Sequence, residues 1–136
     1  MKKFLQKKLK DQKGMTLIEL LAVIVIIAII AAIAIPAISS LIQNSREDAL
    51  VADAQNVLAA ASLYFAENGD EPNAEPADLL NNYLETQGEV TTFTVTKGEP
   101  NTIVFSGQAG TKVFTDISAT KTDLDTGKAF LDGKED

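Results

Sequence analysis

The sequence predicts an α+β protein: a long N-terminal helix, membrane-spanning over its first half, with a small three-stranded antiparallel sheet packed on its second half. Three observations carry this expectation: an unbroken apolar run from Leu20 to Ile38, a helical apolar period that continues past it to Phe65, and three short β-prone segments after Glu89. They divide the 136 residues into a basic start (1–14), a hydrophobic helix (15–44) and a head (45–136) with helix, loop, sheet and polar tail.

The helix comes first. Between Leu20 and Ser45 the chain carries no charge, and an apolar helix of that length matches a bilayer core of about 30 Å. After Asn44, Leu50, Ala54, Val57, Leu58, Ala61 and Phe65 recur at spacings of three and four, which aligns them on one helical face. With no Pro or Gly between Pro36 and Gly69, the sequence predicts a single helix from Met15 to Glu67, ended by a left-handed Gly69. Pro36 should loosen or kink it by removing one backbone hydrogen bond. Next, Asp70 to Glu85 reads as a loop and a short helix opening at Pro76, with Leu79, Leu80, Tyr83 and Leu84 on its buried side. Glu89–Gly98, Asn101–Gly107 and Thr111–Asp116 read as strands joined by short Gly-containing links. The remainder, Ile117 to Asp136, is polar with Ile117, Leu124, Phe130 and Leu131 as its few anchors, and predicts a loop with a loosely held end.

Charge is strongly polarised along the chain. Six lysines and one aspartate precede Gly14, whereas residues 46–136 carry six basic and seventeen acidic side chains. The lysine-rich flank keeps the start of the helix on the cytoplasmic side of a bilayer and places the acidic head outside. The head has no basic patch, so no direct nucleic-acid binding is expected. Cysteine and histidine are absent, which excludes disulfides, Cys/His zinc sites and any Cys- or His-based catalytic pair. Asp123, Asp125 and Asp132 cluster around a glycine turn but do not complete a calcium loop, so no metal and no cofactor are expected. The scattered carboxylates form no catalytic constellation, so the chain is not expected to be an enzyme.

The string "KGMTLIELLAVIVIIAIIAAIAIP" resembles the cleavage and methylation signature of type IV prepilins: a basic leader ending at Gly14, a cut before Met15, Glu19 as the fifth residue of the mature chain, and Pro36 where many pilins carry a helix-loosening proline. The resemblance implies processing at Gly14 and Met15 by a membrane-embedded prepilin peptidase, with methylation of the new amine. It also implies assembly through Met15, Glu19 and Pro36, in which the amine of an incoming subunit pairs with the glutamate of a neighbour. The implied product is a helical homopolymer on the cell surface, built from a single-pass membrane precursor by a pilus assembly machinery with minor pilins. Met15 stands where the family most often has phenylalanine. The cysteine pair of many Gram-negative pilins is missing, which points to a Gram-positive or other disulfide-independent pilin.

Three alternatives stand beside this reading. A pseudopilin of a competence or type II secretion system shares the same signature. From another class, a single-pass anchored binding module would keep its leader and remain monomeric. A secretory signal peptide would be cut after the small residues near Ala37.

Overall fold

The computed structural model describes residues 16–136 with their side chains and, before them, only helical backbone from Lys2. Helix α1 (Lys2–Glu67) is followed by strand β1 (Asn73–Ala74), helix α2 (Pro76–Leu79), strands β2 (Val90–Thr96), β3 (Thr102–Ala109) and β4 (Lys112–Thr120), helix α3 (Lys121–Leu124) and a 3₁₀ turn (Gly127–Phe130). The chain divides into two units, residues 1–40 and 41–136. Pro36 lies inside α1 in the first unit.

In the second unit the expected helical stripe is the buried one: Leu50, Ala54, Val57, Leu58, Ala61 and Phe65 all lie in the core, joined by Val51 and Ala60. Facing them are Val90, Phe93 and Val95 of β2, Ile103, Phe105 and Ala109 of β3, and Phe114, Ile117 and Ala119 of β4. Neither surface could be covered alone, and each removes the other from water. The sheet is antiparallel in the order β1-β2-β3-β4. It contains the three expected strands and a two-residue edge strand, Asn73–Ala74, paired with Thr96 and Val95. So short a strand has no periodicity to read; the buried Ala74 methyl and the register along β2 define it.

Two irregularities bend the sheet over the helix. One lies between Val90 and Thr92, the other where Phe105 pairs with Ile117 but Gly107 pairs with Phe114. The extra residue of the second bulge leaves Asp116 at φ 51°, its N–H donating to Ser106 Oγ at 2.9 Å. Gly107 lies beside both bulges, and a Cβ there would stand 2.5 Å from Leu50 Cδ1 of α1 and 2.7 Å from the Glu89 carbonyl oxygen.

Several local expectations are corrected. Gly69 follows the helix but has no positive φ; the left-handed glycines are Gly88, Gly110, Gly127 and Gly133. The end of α1 is closed instead by Asn68, whose backbone N–H and side-chain amide both donate to the Tyr64 carbonyl, at 2.8 and 3.1 Å. Helix α2 opens at Pro76 as expected, but only Leu79 on it is fully buried, while Tyr83 and Leu84 pack at the core's margin. The C-terminal segment is not loose. Strand β4 runs on to Thr120, a capping box between Thr120 and Asp123 starts α3, and Leu124 and Leu131 are fully buried. Asp136 N–H donates to the Val113 carbonyl at 2.9 Å.

Gly107→Ala is expected to destabilise the protein by about 1–3 kcal/mol, because a backbone carbonyl cannot move aside for the methyl as a flexible side chain could. Chemical denaturation of the detergent-solubilised chain measures this, and an unchanged midpoint would show that the close approach is not constrained.

Candidate assembly site on the N-terminal helix

The positions singled out by the sequence lie on the first part of α1. Gly14 and Met15 fall outside the residues whose side chains are described. Glu19 is exposed on α1 and has no hydrogen-bond or ion-pair partner among the described residues. Around and beyond it the helix is apolar on every side: Leu17, Leu21, Ile24, Ile29 and Ile35 are all exposed, and Ile33 reaches 70 %. Covering one such side chain is worth about 1.5–3 kcal/mol, so this surface requires lipid or other helices around it. It is long and apolar enough to cross a membrane.

Two sequence features fit that surface to helix packing. Ala28, Ala31, Ala32 and Ala34 form a small-residue section between the Ile and Leu side chains, where another backbone can come close. Pro36 cannot donate to the Ala32 carbonyl, which weakens the helix locally. The two polar residues that follow are satisfied within the helix, Ser39 Oγ donating to the Ile35 carbonyl at 3.0 Å and Ser40 Oγ to the Ala37 carbonyl at 2.9 Å. Neither hydroxyl then needs water.

In the second unit, a polar clasp missed by the sequence reading ties α1 to the β3–β4 hairpin. Glu47, only 2 % exposed, accepts from Gln43 Nε2 at 3.0 Å and pairs with Lys112 Nζ at 3.1 Å. Gln43 Nε2 also donates to the Ala109 carbonyl at 2.7 Å, while its Oε1 accepts from Thr111 N–H at 3.3 Å. Lys112 reaches on to Glu135 at 3.6 Å, so the clasp also touches the C-terminal tail. The hydrogen bond to Glu47 holds the Lys112 pKa above its ordinary 10.5. The Glu135 carboxyl is lowered, first by a hydrogen bond from its own backbone and then, against some desolvation, by Lys112. The one signal for this site was an acidic residue in phase with the apolar positions Leu50 and Ala54.

The aspartates of the tail have structural partners. Asp123 accepts from the backbone N–H and the hydroxyl of Thr120, both at 2.8 Å, and Asp125 pairs with Lys121 at 2.8 Å. Among the described residues no group of three or more acids is placed to hold a metal ion. A groove of about 720 Å³ runs between α1, the β2–β3 loop and α3. Several of its polar groups bond to one another: Gln55 Nε2 donates to Asp125 Oδ1 at 3.3 Å and Asn101 Nδ2 to Ser62 Oγ at 3.2 Å. It presents no nucleophile paired with a base.

Comparison with known proteins places a recognised signature on the apolar helix. Residues 9–35 match the family model described as the prokaryotic N-terminal methylation motif. The match includes Gly14, Met15 and Glu19 and stops one residue short of Pro36. No curated protein and no solved structure matches the chain. The chain is thus pilin-like: it has the methylation motif, an apolar N-terminal helix and an α+β architecture with a sheet packed on the helix.

Acid should release the tail. The Asp123 pKa lies below its ordinary 3.8, chiefly through the Thr120 backbone N–H and then its hydroxyl. A lowered carboxyl contributes stability that is present above the unfolded value and lost as pH falls through the folded one. Hydrogen exchange at the amides of Leu124 and Leu131 should therefore accelerate as pH drops below about 4, after correction for intrinsic rates. Asp123→Asn should raise exchange at neutral pH and flatten this acid dependence; an unchanged acid limb would assign the release to other groups.

Proposed function

We propose that the chain is the precursor of a type IV pilus subunit, cut by prepilin peptidase between Gly14 and Met15 and polymerised through α1. The observation that carries this reading is the coincidence of the methylation motif at residues 9–35 with an apolar helix that has no intramolecular cover. The precursor sits in the cytoplasmic membrane with its leader inside and its head outside, and the mature subunit leaves the bilayer for a surface filament. Lipid and neighbouring helices are equally apolar, so the exchange costs little, and close packing at the alanines favours the filament. Assembly machinery and minor pilins are the further partners. The subunit is structural and performs no catalysis.

In this scheme Glu19 selects the position of the incoming subunit. A carboxylate at membrane depth costs about 2.5–3.5 kcal/mol. The amine created at Met15 supplies the opposite charge, so the acid is relieved when another mature subunit arrives in register. Pro36 lets α1 extend locally as subunits pack.

Two measurements test the proposal. Mass spectrometry of the protein from its native host should find a mature chain beginning at Met15 with a methyl group on its amine. An intact leader would instead support an anchored module, and a start near Ala37 an ordinary signal peptide. Glu19→Ala should leave cleavage largely intact while strongly reducing filament yield; wild-type yield would remove the role assigned to the acid.

A further inference from the structure

We infer that Asn68–Gly69, at the end of α1, is a site of spontaneous deamidation that marks the age of the subunit. Seven asparagines occur in the chain, followed by Ser45, Val57, Gly69, Ala74, Asn82, Tyr83 and Thr102, so Asn68 alone precedes a glycine. The reaction begins when the Gly69 amide nitrogen attacks Asn68 Cγ. A bond forms between them, the Cγ–Nδ2 bond breaks, and ammonia leaves with the proton taken from Gly69. Water then opens the five-membered succinimide at either carbonyl, giving aspartate or isoaspartate; water is the only co-reactant and no electrons are transferred.

The local structure favours each requirement. Asn68 and Gly69 are both exposed, so water reaches the site. The Gly69 N–H donates to no acceptor among the described hydrogen bonds and is therefore not withheld from reaction. Glu71 N–H donates to the Asn68 carbonyl at 3.2 Å, which draws electron density from the adjoining amide and makes the Gly69 N–H more acidic. Even the space where a Gly69 side chain would stand is open, with no atom within 4 Å. One contact opposes the reaction: Asn68 Nδ2 must let go of the Tyr64 carbonyl, a 3.1 Å bond in the exposed last turn of the helix. That turn opens most readily.

Gly69 is not required by the fold, since its φ is not positive and an alanine methyl would meet nothing. Conversion replaces the amide that closes α1 with a carboxylate at the negative end of the helix dipole, beside Glu67, Asp70 and Glu71. Isoaspartate also inserts a methylene into the main chain of the turn leading to β1. Nearby, Tyr83 is hydrogen-bonded to Glu67, and Lys97 Nζ donates to the Gly69 carbonyl at 2.7 Å, so the change falls on a joint that several elements share.

The test is incubation of the detergent-solubilised full chain above neutral pH in ¹⁸O-labelled water, followed by peptide mapping of every asparagine. Asn68 should convert first, yielding aspartate and isoaspartate that carry one solvent oxygen. Gly69→Ala, which the open space accommodates, should slow conversion roughly tenfold, a barrier rise of about 1.4 kcal/mol. Conversion at Asn68 no faster than at Asn82 or Asn101 would overturn the inference, as would an unchanged rate in Gly69→Ala. Either result leaves the assembly proposal untouched, because cleavage and filament yield are read separately.

Discussion

Helix α1 must be apolar in two different ways, and the remainder of the fold depends on how its sequence changes from one to the other. Up to Ile42 the apolar residues surround the helix; from Leu50 onward they keep to one face. An all-round apolar helix suits lipid or a bundle of like helices, whereas a one-sided stripe suits a helix packed on a sheet. The change is abrupt: Gln43 and Glu47, four residues apart, are the first polar side chains after Ser40 to be fixed by another element. Burying the Glu47 charge is costly without a counter-ion, and removing Lys112 would leave it only the Gln43 amide. The clasp therefore adds a polar constraint, beside the close approach of Leu50 to Gly107, on which turn of α1 receives the β3–β4 hairpin.

The head has no disulfide, and its C-terminal segment does part of the work a bridge would do. Leu124 and Leu131 enter the core from residues that are otherwise mainly polar, and Asp136 returns to Val113 on β4. Between them, Thr120 and Asp123 start α3, and Asp48 Oδ1 on α1 accepts from Lys128 N–H at 2.9 Å. A second acid on the helix does the same elsewhere: Asp53 Oδ2 accepts from Glu89 N–H at 2.8 Å. Loops are thus fastened to α1 by carboxylate-to-backbone bonds, and charge-assisted bonds of this kind are stronger than neutral ones. Many of the head's acids consequently have structural work, so its acidity does not by itself indicate a cation ligand.

The legibility of the sequence follows the range of the forces involved. The stripe from Leu50 to Phe65 was readable because helical spacing is local, and the three main strands were readable from β-branched and aromatic clusters. What escaped depends on distant partners. Strand β1 exists because β2 offers it a register, and β4 continues through Ser118 and Ala119 because β3 pairs with both of them. Leu124 and Leu131 were readable as apolar anchors of a polar segment and are buried, but isolated leucines have no period, so α3 and the 3₁₀ turn that hold them were not readable. Gly69 was misread because a terminal glycine usually ends a helix in the left-handed region; here Asn68 closes the helix instead. In the methylation motif, by contrast, Gly14, Met15 and Glu19 stand at fixed local spacings, so the signature was legible, whereas the clasp joins residues sixty-five apart in sequence, Glu47 and Lys112, and was not.

The distribution of exposed apolar surface separates association from solubility. Outside the first forty-two residues, Leu63, Val104 and Val113 are the exposed large hydrophobic residues among those described, whereas before that point nearly every Ile and Leu from Leu17 onward is exposed. The head, with seventeen acids against six bases, repels other heads at low ionic strength and offers little apolar area to hold them. The drive to associate is therefore concentrated in α1, and the head's charge opposes contacts that do not also engage that helix. Association through the head alone is thus disfavoured both by its charge and by its small exposed apolar area.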